Sequence, residues 1–194
     1  RDSHGLLQMF NDLVERGRLT QRLDQSRSCR LILISAPAGF GKTTLLSSWI
    51  AKRGRPVAWV SLDASDNDPS RFWAYVIAAL QTVWSDVGAG AFSMLRAPQP
   101  PPIEGVLTEL LNDVVTHDTD EPVSLVLDDY HVIDRSAIDA AVDFLLEHLP
   151  PQLQLIISSR SDPPLSLSRL RGRRQLAEIR TADLRFTAQE EAAF

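Results

Sequence analysis

The stretch from Ser35 to Thr44 reads SAPAGFGKTT, and from Ala36 to Thr43 it keeps the spacing GxxxxGK(S/T), with alanine in place of the first glycine. A loop of this kind turns consecutive backbone N–H groups toward one point, where an oxyanion satisfies them. Pro37, Ala38, Gly39, Phe40, Gly41, Lys42, Thr43 and Thr44 would then line a phosphate-binding loop. Lys42 would reach the β- and γ-phosphates of a nucleotide, and the Thr43 hydroxyl would ligate Mg²⁺. Lys42 and Lys52 are the only lysines of the chain, so a lysine in this loop is hard to assign to background. Gly39 and Gly41 permit the tight curl, and alanine serves at position 36 provided its φ is negative.

A phosphate site that uses magnesium needs a second oxygen ligand at a neighbouring strand end. The segment SLVLDDYH delivers Asp128 there. Asp129 beside it would orient or deprotonate an attacking water; its alternative is to cap the following turn. LIISSRSDPP ends another apolar run with Ser158, Ser159 and Arg160. An arginine at that edge can sense the γ-phosphate, because a guanidinium answers to oxyanion charge and geometry; the alternative is a surface ion pair. Asp63 ends a further run, and Asp68 before Pro69 suits a helix cap. Trp73 and Tyr75 suit packing. His4, His117, His131 and His148 have no ligand spacing, and His131 reads as a structural histidine near the site.

The elements that must hold these residues follow from periodicity. LILIS from Leu31, VAWVSL from Val57, VSLVLDD from Val123 and LQLIISSR from Leu153 carry apolar residues in succession, as strands covered on both faces do. QLAEIR from Gln175 is a weaker fifth. Between them Phe72, Val76, Ala79, Leu80 and Val83 fall on one helical stripe, as do Ile103, Val106, Leu107, Leu110, Leu111 and Val114, and then Ile138, Val142, Leu145, Leu146 and Leu149. Strands alternating with such helices imply a parallel α/β sheet with right-handed crossovers. The Gly- and Pro-rich stretch Ser85 to Pro102 reads as an exposed connection, and the residues before the first strand as one or two helices.

Composition bounds the rest. A chain of 194 residues, 44% hydrophobic and 23% charged, can bury a sizeable core. A formal charge of −5 disfavours a nucleic-acid surface as its main feature. The single cysteine, Cys29, rules out an internal disulfide and reads as structural. No apolar run is long enough for a membrane helix and no signal-peptide pattern opens the chain, so a cytoplasmic location is expected. Thr187 and Glu190 in TAQEEAAF form a capping box for a last helix, which reads as the start of a further helical domain.

Together, RGRLTQRLD, LILISAPAGFGKTTLLSSW, LVLDDYHVI and LIISSRSDPPLSLSRLRGRRQLAEIRTADLRFTAQE resemble the nucleotide-binding domain of the signal-transduction ATPases with numerous domains (STAND), in the MalT-like branch of LuxR-type transcriptional regulators. That family commonly writes PAGFGKTT after a small residue. The resemblance implies a P-loop NTPase fold, a three-layer α/β/α sandwich whose five-stranded parallel sheet has the order 5-1-4-3-2. It implies an ATP/ADP switch with Mg²⁺, ATP favouring self-association and ADP a closed monomer. It places Arg16, Arg18 and Leu19 near the adenine and ribose, makes Asp128 and Asp129 the Walker B pair, and makes Arg160 the sensor. It also implies partners in neighbouring helical and sensor domains and a helix-turn-helix domain, through which alone DNA would be bound.

The domain boundaries expected are a helical lead-in over 1–26, the NTPase unit over 27–186 and the start of a helical domain over 187–194. Three functions compete: a slowly hydrolysing regulatory ATPase, a nucleotide-binding module locked on ADP (or fused to a protein kinase), and a small-molecule kinase. No acceptor site or lid is recognisable for the last.

Overall fold

The computed structural model describes residues 16–54 and 56–191. The helical pattern expected before Arg16 lies outside them. Five strands, β1 (Leu31–Ser35), β2 (Val57–Ser61), β3 (Val123–Asp128), β4 (Leu153–Ser159) and β5 (Leu176–Arg180), form one sheet in the order β2-β3-β4-β1-β5, every neighbouring pair parallel. This is the expected order read from the other edge.

Alternation of side chains along the strands divides the core into two layers. Leu31, Leu33, Leu125, Leu127, Leu155 and Ile157 face one side. There they meet the apolar stripes of α3 (Pro69–Gln81), α5 (Ile103–Val115) and α6 (Ser136–His148). Ile32, Ile34, Val126 and Ile156 face the other, against Leu19 and Leu23 of α1 (Gly17–Gln25) and Leu45, Leu46 and Trp49 of α2 (Lys42–Arg53). Three layers result. The chain is completed by α4 (Ala89–Leu95), α7 (Leu167–Gly172), α8 (Thr181–Leu184) and α9 (Ala188–Glu191).

Three expectations change. β2 is not covered on both faces: it is an edge strand, and Val57 and Trp59 are only half-buried while Ser61 is exposed. The stretch from Ser85 to Pro102 is not simply an exposed connection. It contains α4, whose neighbourhood buries Val87, Ala91 and Leu95, one helical turn apart. Gly88 starts that helix at φ 77°, and a Cβ there would stand 2.7 Å from Ile77 Cγ2, so close packing on α3 and the left-handed turn both demand glycine. Tyr75 is 44% exposed, with the Arg71 guanidinium carbon 5.3 Å above the centroid of its ring, rather than in the core.

Local chemistry explains the ends of several elements. Asp68 Oδ1 accepts from Arg71 N at 2.8 Å and Pro69 opens α3, as the cap reading requires. Asp63 caps a short 3₁₀ turn, Ala64–Asn67, accepting from Ser65 N, while Asp66 Oδ2 accepts from Asp63 N. Thr187 and Glu190 form the expected capping box, Thr187 N donating to Glu190 Oε2 at 2.8 Å and Glu190 N to Thr187 Oγ1 at 3.3 Å. Among the described residues no helix is long and apolar enough to cross a membrane.

Candidate functional site

Parallel pairing brings the carboxyl ends of the central strands to one edge: Ser35 pairs with Ser159, Ser61 with Asp128 and Leu127 with Ile157. The loop from Ala36 to Gly41 leaves β1 at that edge and enters α2. Gly39 and Gly41 have φ of 84° and 70°, and a Cβ on either would meet nothing within 4 Å, so glycine is required by backbone conformation and the space above the loop is open. Ala36 is not among the residues with positive φ, and it is 1% exposed, its N–H donating to Ser159 O at 3.2 Å. Alanine therefore fits the position usually held by glycine.

Lys42, first residue of α2, is 7% exposed, and its Nζ donates to Ala36 O at 2.8 Å and Pro37 O at 3.1 Å. The ammonium thus crosses its own loop. Burial lowers the Lys42 pKa, with Arg160 acting in the same sense and Asp129 and Asp128 opposing.

Asp128, 3% exposed, is the hub of the site. It accepts from Thr43 Oγ1 at 3.0 and 3.3 Å, from Ser158 Oγ at 2.5 Å and from Asp129 N at 3.2 Å. An ionised carboxylate accepts only, so two hydroxyls and an N–H turned toward it are matched donors. Ser158, which the sequence left without a role, completes this cluster. Its signal was a polar residue following the apolar run Leu155 to Ile157 of a buried strand.

Among the described residues Asp129 is one of two non-glycine residues with positive φ, at 59°. It occupies the position that begins the 3₁₀ turn Tyr130–Val132 but spends no side-chain hydrogen bond on capping it. Its carboxylate stays 47% exposed, 3.6 Å from His131 Nδ1. The turn is anchored beneath by Tyr130, whose hydroxyl donates to Asp139 Oδ1 of α6 at 2.8 Å. Burial raises both pKa values in that pair, far above the ordinary range for the tyrosine, so it is held as a phenol against a carboxylate. Arg160 is exposed just past β4, near enough to Lys42 and His131 to depress both their pKa values.

Arg16 and Arg18 point elsewhere than the loop. Arg16 Nη2 donates to Leu184 O at 2.5 Å and Arg185 O at 3.2 Å, and its guanidinium lies 4.6 Å from the centroid of Phe186. Arg18 Nη2 donates to Asp183 O at 2.8 Å. Leu19 is fully buried in the core between α1, α2 and the sheet. α1 is tied to α2 by Trp49 Nε1 donating to Asp24 Oδ1 at 2.9 Å, so the segment from Arg180 to Phe186 is linked through α1 to the helix that carries the loop. Among the described residues no group of three His, Cys, Asp or Glu side chains could hold a metal, and the loop's oxygen donors match magnesium only as a partial shell.

The fold and this edge define a class, and residues 14–158 match the family model described as AAA ATPase domain. The chain belongs to that family. Its relatives include the HTH-type transcriptional regulator MalT of Klebsiella pneumoniae subsp. pneumoniae, 39% identical over 181 residues, which are 93% of this chain and 20% of that protein. MalT of Serratia proteamaculans is 40% identical over 185 residues, 95% of this chain and again 20% of the relative. The MalT-like resemblance read from the motifs holds, and the chain spans about a fifth of the length of these relatives. Among solved structures, a chain of Drosophila ORC bound to DNA has a TM-score of 0.52 at 11% identity, covering 98% of this chain and 99% of that one. A chain of Drosophila ORC bound to AT-rich DNA and Cdc6 reaches 0.54 at 11%, covering 99% and 65%. These likenesses are of fold alone, and the fold is that of the P-loop NTPases.

Proposed function

We propose that this chain is the ATP-binding, slowly hydrolysing switch domain of a transcription regulator of the MalT kind. The observation that carries the proposal is Thr43 Oγ1 within 3.0 Å of Asp128 beneath an open, glycine-bent loop that ends in Lys42. A hydroxyl and a carboxylate brought together beside a phosphate loop are the two protein oxygens that a magnesium–triphosphate complex uses, its other ligands being phosphate and water.

In this reading the N–H groups of Ala38 to Thr43 and the start of α2 bind the phosphates, and Lys42 exchanges its two carbonyl contacts for phosphate oxygens. Thr43 and Asp128 would hold Mg²⁺, which would supply charge neutralisation for the nucleotide phosphates. Ser158 keeps Asp128 from rotating. Asp129 orients the attacking water, and Arg160 distinguishes ATP from ADP by the γ-phosphate charge. Arg16, Arg18 and Leu19 flank the base and ribose end through α1. Loss of the γ-phosphate would then alter contacts of Arg160 and of the α1-linked segment beyond β5, changing self-association and the DNA-binding output of the whole regulator in the cytoplasm.

Isothermal titration with ATP and ADP in the presence of Mg²⁺ tests the reading. Saturable binding by the chain that Lys42→Ala abolishes is the expected result. Equal heats for both proteins, or none for either, would overturn it.

A further inference from the structure

His131 has the sequence of a bystander and the surroundings of a working group. A structural histidine has its ring nitrogens matched, yet Nδ1 of His131 is shut away from solvent and makes no hydrogen bond. Asp129 Oδ1 stands 3.6 Å from it, beyond hydrogen-bond length but within a small ring rotation of it. Each side chain of the pair follows the left-handed turn at Asp129, and Tyr130 between them is pinned to Asp139, so neither is free to drift.

We propose that His131 is a positioning residue that presents Nδ1–H to the Asp129 carboxylate and so fixes its aim at the attacking water. The tautomer follows from chemistry: a carboxylate only accepts, so the ring nitrogen facing it carries the hydrogen. The groups that act on the ring are Arg160 past β4, Lys42 of α2, and Asp129 and Asp128 of the acidic turn. Burial and the two cations push its pKa down, while the two carboxylates pull it up, so the imidazole is neutral where the site would work and donates without adding charge. This rests on the function proposed above for Asp129, and its test has one arm that needs no nucleotide.

Nitrogen-15 NMR of the chain, with the His131 signal identified from His131→Asn, reads tautomer and titration directly. The expected result is the Nδ1–H form, with the pKa falling further in Asp129→Asn as the attracting charge is lost. An Nε2–H tautomer, or a titration indifferent to Asp129→Asn, would overturn the proposal. Turnover of Mg–ATP is the second arm. His131→Phe should lower the rate about tenfold with ATP affinity within about twofold, and His131→Asn should recover most of it, since its amide N–H stands near Nδ1. In an Asp129→Asn background His131→Phe should add nothing, because the two act as one unit. A wild-type rate in His131→Phe, or losses that multiply, would refute it. A chain that shows the tautomer but binds no ATP would sink the functional reading and leave the pair standing.

Discussion

The two ends of β4 carry polar residues in opposite conditions. At its start Gln154, 3% exposed, donates through Nε2 to Ser26 O at 2.9 Å, Cys29 O at 2.8 Å and Arg27 O at 3.3 Å, closing the turn before β1. Beside it Arg30 Nη1 donates to Leu146 O and Glu147 O at the end of α6, matching helix carbonyls that have no partner in their own helix. At the other end Ser159 Oγ and His131 Nδ1 are buried without partners, Asp129 is half-exposed at a left-handed φ, and Arg160 stands in solvent. At the first end Gln154 and Arg30 spend their donors on the chain's own carbonyls, although Gln152 Oε1 and Gln175 Oε1 are buried there without partners. The other keeps donors, acceptors and strain in reserve, which is what a site for an external oxyanion requires.

The largest effect should come from Asp128→Ala. It removes the acceptor of Thr43, Ser158 and the Asp129 amide together. Mg²⁺-dependent ATP affinity should fall on the order of 100-fold by titration, with no comparable loss when ADP is titrated without Mg²⁺. An affinity change of less than about threefold would mean that this end of the sheet is structural after all, like the other.

Gln154→Leu inverts that test on the same strand. Arg27 O and Cys29 O lose this donor, while Ser26 O keeps the Cys29 N–H, so thermal or denaturant unfolding should show a loss of about 1–3 kcal/mol with nucleotide affinity unchanged. A fall in affinity as large as that of Asp128→Ala would erase the contrast between the ends.

Tyr130→Phe probes the anchor beneath the acidic turn. It strips Asp139 of the hydrogen bond that lowers that carboxyl's pKa, while burial and Asp143 continue to raise it. The folded state then holds the proton more tightly than the unfolded chain, so stability should fall as pH rises from the ordinary aspartate pKa toward neutrality. The loss should be about 1–2 kcal/mol at pH 7 and smaller at pH 4, measured by urea unfolding. A pH-independent loss would assign the effect to packing instead.

How much of this was legible in the sequence follows the range of each interaction. SAPAGFGKTT and LVLDDY declare themselves because the loop and the acidic pair are contiguous, and β1, β3 and β4 because burial on both faces leaves apolar residues in succession, broken only by a single Ser124 or Gln154 before the strand ends. α4 was hidden because Gly88 and Gly90 resemble a linker, while Gly88 is there for its contact with Ile77 on another helix. Ser158 and His131 escaped for the same reason: Asp128 meets the first only across the β3–β4 pairing, and the unmatched nitrogen of the second exists only in three dimensions. The half-burial of β2 depended on strand order, which no local pattern contains.

The smallest effect sharpens the comparison at its quiet end. Arg27 Nη1 lies 2.8 Å from Glu121 Oε1, with the two side chains 39% and 44% exposed, close to the turn that Gln154 closes. Water screens such a pair and two long side chains must be held still to form it, so a double-mutant cycle on Arg27→Ala and Glu121→Ala should give a coupling of about 0–1 kcal/mol that fades as salt is raised. Gln154 is neutral, yet its loss should cost more, because its carbonyl partners cannot recover water once the amide is gone. A salt-sensitive coupling larger than that of Gln154 would mean the lower end is held by charge, and the difference between the two ends would then be the sign of their fields rather than how each uses its buried donors.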